Sequence, residues 1–259
     1  MTTWQVGAVS VERVNEPGFE LVLPQDESTR ALLRADASWL TPSFITDELA
    51  LRIGSSATVV RSEGVTIVVD PWLAFDGPDP EVRNAQLIAA LEEAGTKADE
   101  VDVVVYTHLD GVGALGCFPN ARYVLTEPEL HRGDVADAAA AIQATGQLDI
   151  AAAGHRITSE VTLDAAPGHS PGHVVVAIAS GRAAAVIAGH LFLHPAQVAS
   201  PGERGGLDED TALAATTRRA LLERMASSGA LLIGPLFAEP GGGVVVRAGD
   251  SYQLSPSSW

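Results

Sequence analysis

One cysteine, Cys117, is all that this sequence of 259 residues contains. No intrachain disulfide can form, and a structural zinc site built on thiolates lacks its ligands. Cations are sparse as well: 16 Lys and Arg stand against 33 Asp and Glu, for a formal charge of −17. A phosphate-binding surface needs clustered Lys and Arg, so the charge argues against nucleic acid and equally against anionic membranes as partners. The acids do not gather into a tail, and the charge reads as plain solubility. There is no run of about 18 apolar residues to cross a bilayer as a helix. The opening Met1-Thr2-Thr3-Trp4-Gln5 lacks a basic stretch followed by an apolar one. No secretory leader is therefore expected, and a cytoplasmic location follows by default. Repeats and long linkers are absent too, so the expectation is one domain over residues 1–259. Nothing in the composition speaks to oligomeric state.

What is present is a good core composition: 46% hydrophobic and 19% charged residues, ample for a chain of this length. Residues 4–14 read as a strand. Residues 57–60 and 65–69 are β-branched and apolar, joined by the turn Ser62-Glu63-Gly64 and stopped at Asp70-Pro71. Asp79-Pro80 starts a helix with an acidic cap and proline at its first position, Leu87, Ile88 and Leu91 form its stripe, and Gly95 ends it. Residues 101–106 suit a strand buried on both faces. A short strand at 123–125, a helix at 134–144, and strands at 161–165, 174–179 and 183–187 follow, the last two joined by Ser180-Gly181-Arg182. A helix spans 210–228 with Leu213, Leu221 and Met225 inward and Gly229 at its end; strands at 231–233 and 244–247 close the set. Glycines 241–243 read as a loop without function. Two facing sheets with helices outside accommodate this order; a simple βαβ repeat does not, because hairpins outnumber crossovers. Trp4, Trp39, Trp72 and Trp259 are candidates for an interface or a pocket wall.

Three of the seven histidines, His108, His169 and His190, each follow an apolar strand, where a rigid scaffold presents functional groups. In Thr107-His108-Leu109-Asp110-Gly111-Val112-Gly113, the spacing of His108 and Asp110 points both side chains to one side of an extended segment. Imidazole and carboxylate are both good ligands for zinc or iron.

This segment resembles the Thr-His-x-His-x-Asp-His-x-Gly signature of metallo-β-lactamase-fold hydrolases. Further matches fall in family order. Val69-Asp70 looks like the end of an early strand, and residues 118–123 match the segment leading to the next. Ala166-Pro167-Gly168-His169-Ser170-Pro171-Gly172-His173 is close to the family's Pro-Gly-His-Thr-Pro-Gly-His turn. His194-Pro195-Ala196-Gln197 and Gly249-Asp250-Ser251-Tyr252 are similar to segments of lactonase-like members. The resemblance implies a four-layer αββα sandwich of the α/β class and a dinuclear metal site. The departures cut that site back. Two signature residues are missing, Gly111 stands where the last histidine would be, His190 replaces the bridging aspartate, and Leu236 aligns with the family's final histidine.

What remains implies one zinc or iron ion, or none, held by His108, His169 and His190. Asp110 is either a fourth ligand or stands behind the ligands, leaving a position open. Asp110, His169 and His190 are the expected catalytic groups. His173, His194 and Leu236 are expected around a small-molecule substrate, with His173 equally readable as packing. The bland alternatives are an ordinary Asp-Gly turn at Asp110, filler at His190, surface histidines at 131 and 155, and a small buried hydrophobe at Cys117. Three functions stay open. The first is a one-metal hydrolase of a lactone, ester or thioester. The second is a metal-independent lyase, dehydratase or cyclase of small-molecule biosynthesis, using the histidines as acid and base. The third is a non-catalytic binding protein on an inherited fold.

Overall fold

Period-2 alternation in short apolar strands sets the architecture. In the strand Val103–Val105, Val103 and Val105 enter one apolar cluster and Val104 another. Leu231 and Ile233 likewise part from Leu232, and Val174 and Val176 from Val175. Strands buried on both faces need cover on both, and the chain supplies it in four layers. The computed structural model describes residues 2–72, 79–110, 113–202 and 207–255.

The first sheet has the order Thr2–Val6, Val9–Asn15, Ser56–Ser62, Val65–Val69, Val103–Val105, Arg122–Thr126, Leu148–Ala151. Its first four strands pair antiparallel, and the last three join in parallel. The second sheet runs His155–Arg156, Val161–Ala165, Val174–Ser180, Ala183–Ile187, Leu231–Ile233, Gly242–Ala248, Ser251–Ser255. Its one parallel pair, Ala183–Ile187 with Leu231–Ile233, is bridged by the helix Thr211–Ser228. The inner faces meet in a core that includes Val69, Val105, Val176, Ile187 and Ile233. The helices Pro80–Glu93 and Ala136–Ala144 pack on the outside of the first sheet through Leu87, Leu91, Ala139 and Ile142. Glu27–Leu40, Ala196–Ala199 and Thr211–Ser228 cover the second. This is the expected αββα sandwich. No described helix is long and apolar enough to cross a membrane.

Pairing register brings the loops of interest to one end. Val69 pairs with Val105 in parallel, so both strands run out together into Asp70 and His108. Ala165 pairs with Val174, and Val176 with Ile187, so the turn 166–173 and the segment after Ile187 leave the second sheet side by side. The Val174 N–H donates to the Thr107 carbonyl at 3.0 Å, tying the two sheets together there.

Several local expectations are corrected. Residues 4–14 are two strands folded at Gly7-Ala8, because Gly7 sits at φ 62°. The helix at 134–144 is α-helical only from Ala136, after a 3₁₀ turn at Gly133–Val135. Leu221 and Met225 are buried as expected, but Leu213 is 41% exposed, and Ala214, Ala215, Arg218 and Leu222 complete the inward face. Gly242 and Gly243 are strand residues paired with Ile233 and Leu232, and at Gly241 a Cβ would lie 2.5 Å from the buried Arg13 side chain. The helix Glu27–Leu40 escaped the sequence reading because its inward stripe carries only Leu33, Ala37 and Leu40, with Trp39 beside them, as apolar core contacts among polar residues such as Thr29, Arg30 and Asp36. Trp4 lies in the inter-sheet core, and Trp72 is buried with its indole N–H on the Val14 carbonyl at 3.1 Å. Trp259 lies outside the described residues.

Candidate functional site

His108 and His169 come from two loops and His190 from the 3₁₀ turn Gly189–Leu191, and the three meet. Each offers a ligand atom, and these atoms all lie within 4.8 Å of one another. The three rings are buried, with centroids 5.0 Å apart for His108–His169, 4.1 Å for His108–His190 and 5.0 Å for His169–His190. Gly189 makes the close approach possible. It has φ 54°, and a Cβ there would fall 2.4 Å from Thr107 Oγ1 and 2.7 Å from His173 Nε2.

Proton counting assigns the tautomers. Thr107 donates its hydroxyl proton to Asp70 Oδ2 at 2.8 Å, and its N–H binds Oδ1 at 2.8 Å. The 2.9 Å contact between Thr107 Oγ1 and His108 Nδ1 must then use the imidazole's own proton. His108 Nε2 is left as a bare lone pair, facing His190 Nδ1 at 2.8 Å. His190 therefore donates from Nδ1, and its Nε2 is a buried nitrogen with no hydrogen-bond partner. Burial holds His108 well below the usual imidazole range and takes His190 down to about 3, with neighbouring rings adding to the effect. Both are neutral, the form a metal requires. Burial also dominates at Asp70, raising its carboxyl to about 6 against the pull of Thr107.

His169 differs. Asp110 Oδ2 is 3.2 Å from its Nε2, and Asp208 Oδ1 is 3.4 Å from its Nδ1. Neither ring nitrogen makes a well-directed hydrogen bond, although both are buried. Burial opposes a charge on this ring, but the two carboxylates outweigh it and raise its pKa. Asp110 is half-buried; burial works against its charge, and His169 and Arg132 overcome that and hold it at about 2. Its other oxygen is 2.7 Å from the Arg132 guanidinium, which also reaches Glu129 and Glu209.

The sequence reading missed Glu129, Arg132, Asp208 and Arg218. Glu129 and Asp208 have fully buried side chains, and Arg218, also fully buried, pairs with Asp208 at 2.8 Å. No motif marks them: Glu127-Pro128-Glu129 looks like an exposed helix start, and Asp208-Glu209-Asp210 like acids capping the next helix.

The remaining expected site residues are placed as follows. His173 Nε2 accepts the His190 N–H at 3.1 Å, so this ring props the backbone behind the cluster. His194 stands edge-on to Phe44, donates from Nε2 to the Phe44 carbonyl at 2.8 Å, and accepts the Ala196 N–H at 3.0 Å. Backbone thus uses both its nitrogens. Leu236 is buried beside Ile53 in a small apolar cluster. Gly111 lies outside the described residues. His131 is exposed, whereas His155 and Cys117 are half-buried.

No family model matches the chain, and no curated protein is similar to it in sequence. Solved structures are similar in fold. A dizinc quorum-quenching lactonase called AidC, in complex with a product, superposes with TM-score 0.81 at 17% identity, covering 100% of this chain and 97% of that one. The hydrolase AbOPH of the β-lactamase superfamily gives 0.78 at 19% identity, covering 100% and 97%. A probable metal-dependent hydrolase from Staphylococcus aureus gives 0.73 at 16% identity, covering 99% and 100%. The fold is the metallo-β-lactamase fold.

Proposed function

We propose that this chain is a metal-dependent hydrolase of a small-molecule lactone, ester or thioester, working with one divalent ion. The observation that carries the reading is the convergence of three buried imidazoles within 4.8 Å, in which both nitrogens of His169 and Nε2 of His190 lack hydrogen-bond partners. Orphaned buried nitrogens are costly; a single ion would take His190 Nε2 and one nitrogen of His169, leaving the other His169 nitrogen to its carboxylate. His108, His169 and His190 would hold the ion; an all-imidazole set suits zinc and accepts iron. When bound, the ion supplies a Lewis acid for the substrate carbonyl.

The chain's own groups divide the remaining work. Thr107 and Asp70 fix His108 with its lone pair turned inward. Arg132 fixes one oxygen of Asp110. A carboxylate held at about 2 is a weak base, so Asp110 serves by accepting a hydrogen bond and orienting a water rather than by carrying its proton away. One ion rather than two is proposed because, by the resemblance, His190 stands where the bridging carboxylate would be and Leu236, where the final histidine would be, is apolar and packed beside Ile53. Neighbours of the same fold that are named as lactonases and metal-dependent hydrolases support a carbonyl substrate.

The test is elemental analysis of protein purified without added metal, followed by a panel of lactones, esters and thioesters. One ion per chain is expected, with hydrolysis lost on chelation and restored by zinc or iron(II). Hydrolysis that survives complete metal removal sinks the reading. A second reading is favoured by the direct 2.8 Å bond between His108 and His190 and by the two carboxylates flanking His169. These suit a metal-free acid–base enzyme acting near neutral pH. Turnover by metal-free protein that is lost in His169→Ala would select it.

A further inference from the structure

We propose that Glu129 is a positioning residue of the histidine centre, one buried carboxylate that sets the distance between the loops carrying His108 and His169. The inference rests on the metal-centre reading above. Glu129 is 0% exposed. Its Oε2 accepts the Leu109 N–H at 3.1 Å, next in sequence to His108. Its Oε1 accepts the Ser170 hydroxyl at 2.6 Å and the Gly172 N–H at 2.9 Å, in the turn that bears His169. Arg132, also on Oε2 at 3.1 Å, continues to Asp110 at 2.7 Å, and Asp110 returns to His169 at 3.2 Å. The contacts close a circuit: turn, Glu129, Arg132, Asp110, His169. Each loop takes one oxygen of the same rigid group.

The chemistry of a buried carboxylate explains why the fastening is tight. Taking the charge out of water is costly unless every acceptor position is used. Four donors fill the roughly four lone-pair positions of a carboxylate. Displacing either loop would strip donors from a buried charge, so the loops move together or not at all. The turn is seated directly on this segment. A Cβ at Gly172 would lie 2.4 Å from Thr126 Oγ1 and 2.9 Å from Glu129 Cγ, and Thr126 Oγ1 donates to the Gly172 carbonyl at 2.7 Å. The rings of His108 and His169, 5.0 Å apart, hang from the two sides of this clasp.

Glu129→Gln is the informative change. The amide keeps one acceptor oxygen and turns a donor toward the other pair of donors, so one loop is held and the other released. Zinc affinity is expected to fall about tenfold or more, the scale found when partners behind metal ligands are lost. The cobalt(II) visible spectrum is expected to change, and in metal-free protein the His108 and His169 ring signals in ¹H–¹⁵N NMR are expected to shift. Glu160→Gln is the control, because Glu160 likewise bridges Ser62 and Ser180 between the sheets without contacting the histidines. It is expected to lower thermal stability while leaving zinc affinity, cobalt spectrum and ring signals as in the parent. Parent-like zinc affinity and unmoved ring signals in Glu129→Gln overturn the proposal. If that variant does not fold, Ser170→Ala, which removes one of the four donors, is read by the same three signals, and parent-like values overturn the proposal equally. A parent protein that binds neither zinc nor iron(II), with ring signals that still shift in Glu129→Gln, defeats the metal reading and leaves the positioning role standing.

Discussion

His190 Nδ1 lies 2.8 Å from His108 Nε2, and the proton between them belongs to His190. That assignment descends from Asp70 through Thr107 and His108, so a carboxylate at the end of one strand decides which nitrogens of two imidazoles are bare.

Asp70→Asn tests this chain of protons. The amide oxygen can still accept the Thr107 N–H, but the amide N–H₂ now faces Thr107 Oγ1 and turns that hydroxyl toward His108 Nδ1. The His108 proton then moves to Nε2, the nitrogen needed for metal. Zinc affinity is expected to drop about tenfold or more with circular dichroism unchanged. Titration with zinc checks it, and an unaltered affinity counts against the relay.

Two carboxylates should leave opposite marks on stability against pH. Asp70 is raised from 3.8 to about 6 in the folded state, so its stabilisation is full below 3.8 and is lost as pH rises through 6. A shift of two units is worth about 3 kcal/mol. Asp110 is lowered to about 2, so its contribution is present above 3.8 and disappears as pH falls through 2. In urea unfolding from pH 3 to 7, Asp70→Asn should remove a decline between about pH 4 and 6. Asp110→Asn should remove part of the loss below pH 4. A parent slope retained in Asp70→Asn would show that the buried carboxyl does not titrate there.

Arg218→Met isolates the buried ion pair. Arg218 spans Asp208 and the Leu191 carbonyl, and both charged side chains are fully buried. Removing the cation strands Asp208 beside His169, at a cost of about 3–5 kcal/mol. Equilibrium denaturation measures it; a loss under 1 kcal/mol would mean that water reaches Asp208 freely.

His194→Ala separates a structural histidine from a substrate contact. Losing the bonds to Phe44 and Ala196 strands two backbone groups and should cost about 2 kcal/mol or more. Zinc affinity and KM should stay at parent values. A raised KM at parent stability would return His194 to the substrate pocket.

The sequence by itself determined the layers and the cluster's membership. Alternation in Val103–Val105 and Leu231–Ile233 dictates strands covered on both sides, because side chains two apart share a face. The strand ends before His108, His169 and His190 are marked by where apolar runs stop. Tertiary structure alone decided the rest. Ser170 and Gly172 reach Glu129 from 41 and 43 residues away and Arg218 reaches Asp208 from 10, and a buried carboxylate looks like a surface one until its donors are known. The same holds for His194: its imidazole reads as chemistry in the sequence and proves to be a bridge between backbone groups, because only folding brings Phe44 within reach.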